Sequence, residues 1–413
     1  MVAAQSEAKA LDVPHATEPP TPAEPSLAAA YSGFAVFFLF AISIAALEIL
    51  DRSNPIRWLA YFVPPLGLGA ALLTGNLRIA TPLVVTSWFA VVFTLSCLAN
   101  WDSLDWFYAG RDFVIYTLIL ATLFIRLPLT SEQIFFSMCC TFFLVFSFLI
   151  AHTTLQVSLR YDPGVIRGES TASIVYGALT LFFLINRRFT FALAALVFAV
   201  FTFKRTSYVY FLGAAGFWAM SEACIWMVGP KYRRTLIAIF IVVLFLGCLV
   251  FSFYLLDALS LAQRTFSPEQ QLREFTTGRS ELYRLILHTY ESVSPLHILF
   301  GYGPGSIEKL GLESVGIDLA HNEFFHHLFD YGAFGILFLF IFLATLLAMA
   351  PRNYSIIAYV IMVSLTDNPV YVFIVAIPII CLFSMEIDEF RQPRGSTYRT
   401  PVRTCSSPAF RRT

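Results

Sequence analysis

The chain has 413 residues, 58% of them hydrophobic and only 13% charged, with a mean hydropathy of +0.72. That balance excludes an ordinary soluble domain and fits a chain that crosses a membrane many times. Its 27 basic and 27 acidic residues cancel, which excludes a nucleic-acid partner held by net charge.

In chain order, residues 1–30 place Pro14, Pro19, Pro20, Pro22 and Pro25 among Ala, Glu and Thr, the composition of a disordered cytoplasmic tail. The tail has no basic start leading into an apolar core, so the first span is expected to act as the insertion signal. A crossing helix needs about 17–25 apolar residues. Twelve stretches qualify or come close: 31–50, 57–75, 79–99, 111–127, 133–156, 170–186, 188–203, 207–228, 234–256, 333–350, 353–368 and 370–387. Pro64 and Pro65 are expected to kink the second. The predicted fold class is an all-α polytopic membrane protein of about 12 transmembrane helices. Nine helices fill 31–256, one long loop carrying short helices occupies 257–332, three helices fill 333–387, and a basic tail follows at 388–413.

Lys and Arg in the loops set the orientation. An even number of spans puts both termini on one side, and that side collects 15 of the 27 basic residues, six of them in the final tail. The termini are therefore expected in the cytoplasm and the 257–332 loop outside. Arg160, Arg167, Lys204 and Arg205 then lie on the outer face, where they read either as surface charge or as a basic patch for an anion. The seven cysteines show no CxxC or ligand spacing and read as small buried hydrophobes.

Most of the chemical information lies in 278–335. Residues 280–290 set Leu282, Leu285, Ile286 and Thr289 on one stripe, a helix with Arg279 at its start and Ser294-Pro295 as its end. Gly301, Gly303, Pro304 and Gly305 make a turn whose N–H groups either nest a phosphate or simply reverse the chain. Asp318 is expected to cap a second helix with His321 in its first turn, where the positive helix end favours the neutral imidazole that a general base requires. A hydrogen-bonded packing histidine is the other reading of His321. Arg279 offers a rigid fork matched to phosphate oxygens, or else a helix-end salt bridge. His326 and His327 read as an interfacial helix face. The absence of a second His in HExxH register and of an external DxD pair predicts a site without metal. Asp102 and Asp105 among Trp101, Trp106, Phe107 and Tyr108 read as an interfacial aromatic belt.

Three motifs together resemble the O-antigen ligase and polysaccharide polymerase family of bacterial inner membranes. They are Gly278-Arg279-Ser280-Glu281-Leu282-Tyr283, Gly301-Tyr302-Gly303-Pro304-Gly305, and His321-Asn322 followed after nine residues by Gly332-Ala333-Phe334-Gly335. The last is the most specific, and its place before the tenth span also fits. Arg167-Gly168 and Lys204-Arg205-Thr206-Ser207 are weaker echoes: Lys204 stands where the family usually has Ser, and no Asn-Pro follows Arg167. The resemblance implies a GT-C-like glycosyltransferase, O-antigen ligase or O-antigen or exopolysaccharide polymerase, working at the periplasmic face. It implies a donor glycan on undecaprenyl pyrophosphate, and an acceptor that is a lipid A-core sugar or a repeat unit on a second lipid carrier. A chain-length regulator is among the partners it implies. By that analogy His321 and Arg279 are the catalytic pair, and Arg167, Arg205, Tyr283, Gly303 and Asn322 bind substrate, with neither metal nor other cofactor. Two other classes compete: a flippase or transporter of lipid-linked sugar, and a glycosyltransferase with an acidic base at Glu48 or Asp51.

Overall fold

The computed structural model describes residues 59–126, 132–143, 172–201, 205–266, 279–290, 293–314 and 322–384. The two tails, the expected first span with Glu48 and Asp51, Arg167, Asp318 and His321 lie outside the described residues. So does the segment with the expected capping box at Ser267-Pro268-Glu269-Gln270.

The described residues are helical almost throughout. In chain order the helices are α1 (Leu59–Thr74), α2 (Ala80–Ala99), α3 (Trp106–Leu123), α4 (132–143), α5 (Ala172–Ile185), α6 (Phe189–Phe201), α7 (Arg205–Val228) and α8 (Arg233–Phe266). Then come the short α9 (Arg279–Tyr290), α10 (Pro295–Phe300) and α11 (Ser306–Ser314), followed by α12 (Glu323–Met349), α13 (Tyr354–Val363) and α14 (Phe373–Ser384). Four helices, Ala80–Ala99, Tyr208–Val228, Pro230–Tyr254 and Glu323–Met349, are long and apolar enough to cross a bilayer. Shorter apolar helices at Tyr61–Leu73, Ser173–Ile185, Phe189–Val200 and Val375–Ser384 accompany them. Apolar side chains such as Leu73, Leu212 and Trp226 stand exposed on these helices, as they do when lipid rather than water surrounds a bundle.

The expected helix at 353–368 is shorter than the sequence suggested: α13 has 10 residues, and α14 begins only at Phe373. At ~1.5 Å per residue α13 reaches about half of a hydrocarbon core ~30 Å thick. Residues 364–372, Ser-Leu-Thr-Asp-Asn-Pro-Val-Tyr-Val, form a joint between them that is largely buried and not α-helical. The reason is local. Pro369 has no N–H to give, and Ser364, Asp367 and Asn368 carry side chains that compete for backbone hydrogen bonds. Irregular backbone at such depth survives only where protein satisfies it. Here Glu323 N–H donates to the Ser364 carbonyl (2.9 Å) and Asn322 Nδ2 to the Leu365 carbonyl (3.0 Å).

α12 is two helices in one. Gly332 has φ 65° and ψ −152° inside it, so the chain bends there before the apolar second half. Its φ is positive because another backbone passes close by: a Cβ on Gly332 would lie 2.5 Å from the Leu299 carbonyl carbon and 2.6 Å from the Gly301 nitrogen. Gly301 has φ 71° for the reciprocal reason, a Cβ there falling 2.4 Å from the Asp330 carbonyl carbon. The two glycine motifs of the sequence therefore interlock. Tyr302 N–H donates to the Phe329 carbonyl (2.8 Å) and Gly303 N–H to the Asp330 carbonyl (3.2 Å).

Loop contacts join neighbouring elements at both ends of α2. Arg78 N–H donates to the Phe124 carbonyl (2.8 Å), joining the α1–α2 loop to the end of α3. At the opposite ends, Asn100 Nδ2 donates to the Gly301 carbonyl (3.1 Å), and Ser96 Oγ lies 2.7 Å from the Phe300 carbonyl oxygen. The α2–α3 loop thus meets the 293–314 segment.

Gly332→Ala puts a Cβ into a backbone region that is almost exclusively glycine's, at a strain cost of ~1–3 kcal/mol before the contact with Leu299 is counted. The expected outcome is a clearly lowered thermal unfolding temperature in detergent, with Gly69→Ala, where nothing lies within 4 Å, close to unchanged.

Candidate functional site

α9 is an amphipathic helix whose stripe was legible in the sequence. Leu282, Tyr283 and Ile286 are buried against Phe325 and Phe329 of α12, with Ile307 completing the cluster. The contacts fix the register. Tyr283 packs on Phe325 with ring centroids 5.2 Å apart, and two turns later Tyr290 donates to the Leu328 carbonyl (2.6 Å) and packs on Phe329. α9 and the first half of α12 therefore run in the same direction. Burial pushes the Tyr290 and Tyr302 phenols above their ordinary value, which keeps both hydroxyls as neutral donors, Tyr302 to the Thr289 carbonyl.

Arg279 opens α9, and Arg205 opens α7. Tyr210, in the second turn of α7, donates to Thr366 Oγ1 (3.0 Å), one residue from the Leu365 carbonyl that holds Asn322. The second turn of α7 thus meets the 364–372 joint, and the second turn of α9 packs on Phe325 of α12.

Asn322 is the N-cap of α12. Its Oδ1 accepts from Phe325 N–H (3.0 Å), and its Nδ2 reaches Leu365 and, at 3.5 Å, Ser252 of α8. The helix start is therefore not Asp318, as the sequence suggested, but the residue directly after His321. Tyr283 is buried in apolar packing. Gly303 sits at the other end of the α12 segment, under Leu104 and Asn100. Ser294-Pro295 does not end α9 but begins α10: Ser294 caps it and Pro295 is its first residue.

The first half of α12 carries five polar or ionisable side chains that sequence reasoning had treated as surface, or had passed over. Glu323, His326, His327 and Asp330 are fully buried, and Tyr331 nearly so. The two carboxylates each hold a pair of backbone N–H groups. Glu323 Oε2 accepts from Val370 (3.1 Å) and Tyr371 (3.2 Å) of the joint, while Asp330 accepts from Gly305 (3.0 Å) of the glycine turn and Ile307 (2.8 Å) at the start of α11. The Gly305 N–H, which the sequence offered to a phosphate, is thus directed at Asp330, as is the Ile307 N–H. His327 Nδ1 lies 3.0 Å from the Glu323 carbonyl oxygen and its Nε2 lies 3.2 Å from Tyr116 Oη, deep among aromatic rings, so it is no interfacial residue.

Beside them α3 supplies Arg111 and Asp112. Tyr371 Oη lies 2.7 Å from Asp112 Oδ1 and 2.8 Å from Glu308 Oε1, Tyr331 donates to Asp112 Oδ2 (3.1 Å), and Arg111 pairs with Glu308. A phenol has one proton to give, so Tyr371 cannot fully satisfy both carboxylates at once. The sequence signal for this cluster was faint: the Arg-Asp pair at the head of the 111–127 apolar run, and Asp330-Tyr331 before the double-glycine bend.

Residues 189–340 match the family model described as O-antigen ligase. The matched segment covers less than half of the chain. It spans α6 to the middle of α12, so it takes in Arg205, Arg279, Tyr283, Gly303, His321 and Asn322 but not Arg167. A comparison with curated proteins returns no match. The buried cluster also draws on elements outside the matched segment: α3 brings Asp112, and the joint before α14 brings Tyr371.

Removing the Asp330 side chain leaves the buried N–H groups of Gly305 and Ile307 without their acceptor, at ~1–3 kcal/mol each. Asp330→Ala is expected to unfold at a lower temperature than Asp330→Asn, which keeps one acceptor oxygen, and both below wild type. Differential scanning fluorimetry of the detergent-purified protein gives the order.

Proposed function

We propose that this protein moves a glycan from undecaprenyl pyrophosphate to an acceptor sugar hydroxyl at the periplasmic face of the bacterial inner membrane, as an O-antigen ligase or as an O-antigen or exopolysaccharide polymerase. The observation that carries the reading is the ligase-family match over 189–340, with the family motifs at the starts of α9 and α12. In this reading both termini are cytoplasmic. His321 takes the proton of the acceptor hydroxyl as it attacks the anomeric carbon, the bond to the lipid pyrophosphate breaks, and Arg279 holds the departing diphosphate. Arg205 and Arg167 add positive charge.

The parallel register of α9 and α12 supports this assignment. Arg279 lies four residues before Tyr283, His321 lies four before Phe325, and those two rings touch. Two helices that run in the same direction also turn both positive dipole ends the same way, which favours an anion beside them. Pyrophosphate is already a good leaving group, so positioning, a base and fixed positive charge suffice. Asn322 contributes by setting the helix start next to His321, and Tyr283 by locking α9 onto α12.

A second reading, a flippase for the same lipid-linked glycan, is favoured by one observation: α13 and α14 are broken by a buried joint, beside buried carboxylates, as in many transporters.

His321→Ala is expected to lower transfer by ~10²–10⁴, and Arg279→Ala to abolish it, with each protein still inserted in the membrane. Arg279→Lys keeps the charge but loses the two-point fork and is expected to recover only part of the activity. Deletion in the native host separates the readings on a glycan gel. Lipid-linked polymer with bare core marks a ligase, and single repeat units on core mark an O-antigen polymerase. Altered secreted polysaccharide with normal lipopolysaccharide marks an exopolysaccharide polymerase. Glycan trapped on the cytoplasmic leaflet marks a flippase and overturns the transferase reading.

A further inference from the structure

Asp112 of α3 and His326 and Asp330 of α12 bring one nitrogen and two carboxylate oxygens within 4.8 Å of one another, all three side chains fully buried. His326 Nε2 is 3.7 Å from Asp330 Oδ2, yet neither ring nitrogen of His326 has a hydrogen-bond partner. A buried imidazole without a partner forfeits the hydrogen bonds it would make in water, an arrangement that proteins rarely keep without a purpose. The carboxylates around it are in surplus. Asp112, Glu308, Glu323 and Asp330 are all buried, and Arg111, paired with Glu308, is the cation supplied to the cluster among the described residues.

We infer that Asp112, His326 and Asp330 bind a divalent first-row transition-metal ion. Ligand atoms at ~2.1 Å from a common ion lie up to ~4.2 Å apart, so the separations here need at most a contraction of several tenths of an ångström. An imidazole with two carboxylates suits zinc, manganese, iron or cobalt better than magnesium or calcium, which take oxygen alone. The outer contacts are those of a held site. The Asp330 oxygens are oriented by Gly305 and Ile307 N–H, and the Asp112 oxygens by the Tyr371 and Tyr331 hydroxyls. Each oxygen still has a lone pair for a metal.

Such an ion ties α3 to the first half of α12 underneath the glycine turn. It does so by replacing the repulsion of two buried carboxylates with attraction. The role is structural, and it does not require that transfer itself use a metal. The inference departs from the metal-free site expected from the sequence, and it does not depend on the glycosyltransferase reading.

The test needs no substrate. Protein purified in detergent is stripped with a chelator and titrated with Co²⁺, following the visible ligand-field bands and the thermal unfolding temperature. The expected result is one Co²⁺ per chain, displaced by Zn²⁺, with a raised unfolding temperature in the wild type. Affinity is expected to be lower by roughly tenfold or more in His326→Gln and Asp112→Asn. Wild-type protein that neither develops the bands nor gains thermal stability overturns the inference. So does binding that persists undiminished in both folded variants. Should those variants fail to fold, the wild-type stability shift with Co²⁺ decides alone.

Discussion

The arrangement rests on one helix segment, Glu323–Tyr331, that is buried except at the half-buried Leu328 although it carries five ionisable residues. Burial of that kind is costly unless each polar group is met. The structure meets the two carboxylates with backbone. Glu323 takes the N–H groups that the joint before α14 cannot pair within a helix, and Asp330 takes those of the glycine turn and the start of α11. Each irregular stretch is thereby fixed to the same rigid element. The glycines follow from this: Gly301 and Gly332 lie where two backbones pass too closely for any side chain.

A membrane enzyme that works at a bilayer surface needs such a segment. In the proposed function the substrates arrive on lipid carriers, so reacting groups must be held at a fixed depth by something stiffer than a loop. Here the short helices α9 to α11 are fastened by aromatic packing to Phe325 and Phe329, and by backbone contacts to residues 329 and 330. The helix starts that matter for the proposed chemistry are located by elements that take no part in it.

Much of this was legible in the sequence, and the parts that were not have physical reasons. Apolar runs long enough to cross a bilayer located most helices, because length and hydropathy are the signal that lipid imposes. The α9 stripe and the bend at Gly332 followed from periodicity and from glycine. The α12 start was misplaced because Asp318 and Asn322 are both good caps, and only tertiary contacts to Leu365 and Ser252 choose between them. His326 and His327 read as surface because a sequence shows their polarity but not Tyr116 and Asp112 arriving from α3, more than 200 residues away. The break between α13 and α14 was hidden because two apolar helices separated by nine residues look much like two short spans.

The central proposal is that Arg279, at the start of α9, and His321, directly before the Asn322 cap of α12, act on one substrate. Cysteine pairs introduced into a chain stripped of its own cysteines, and treated in membranes with a short bis-thiol reagent, test it directly. The 279/321 pair is predicted to cross-link within the chain as readily as the 283/325 control, whose rings are in contact. A control pair that links while 279/321 stays unlinked would contradict the account.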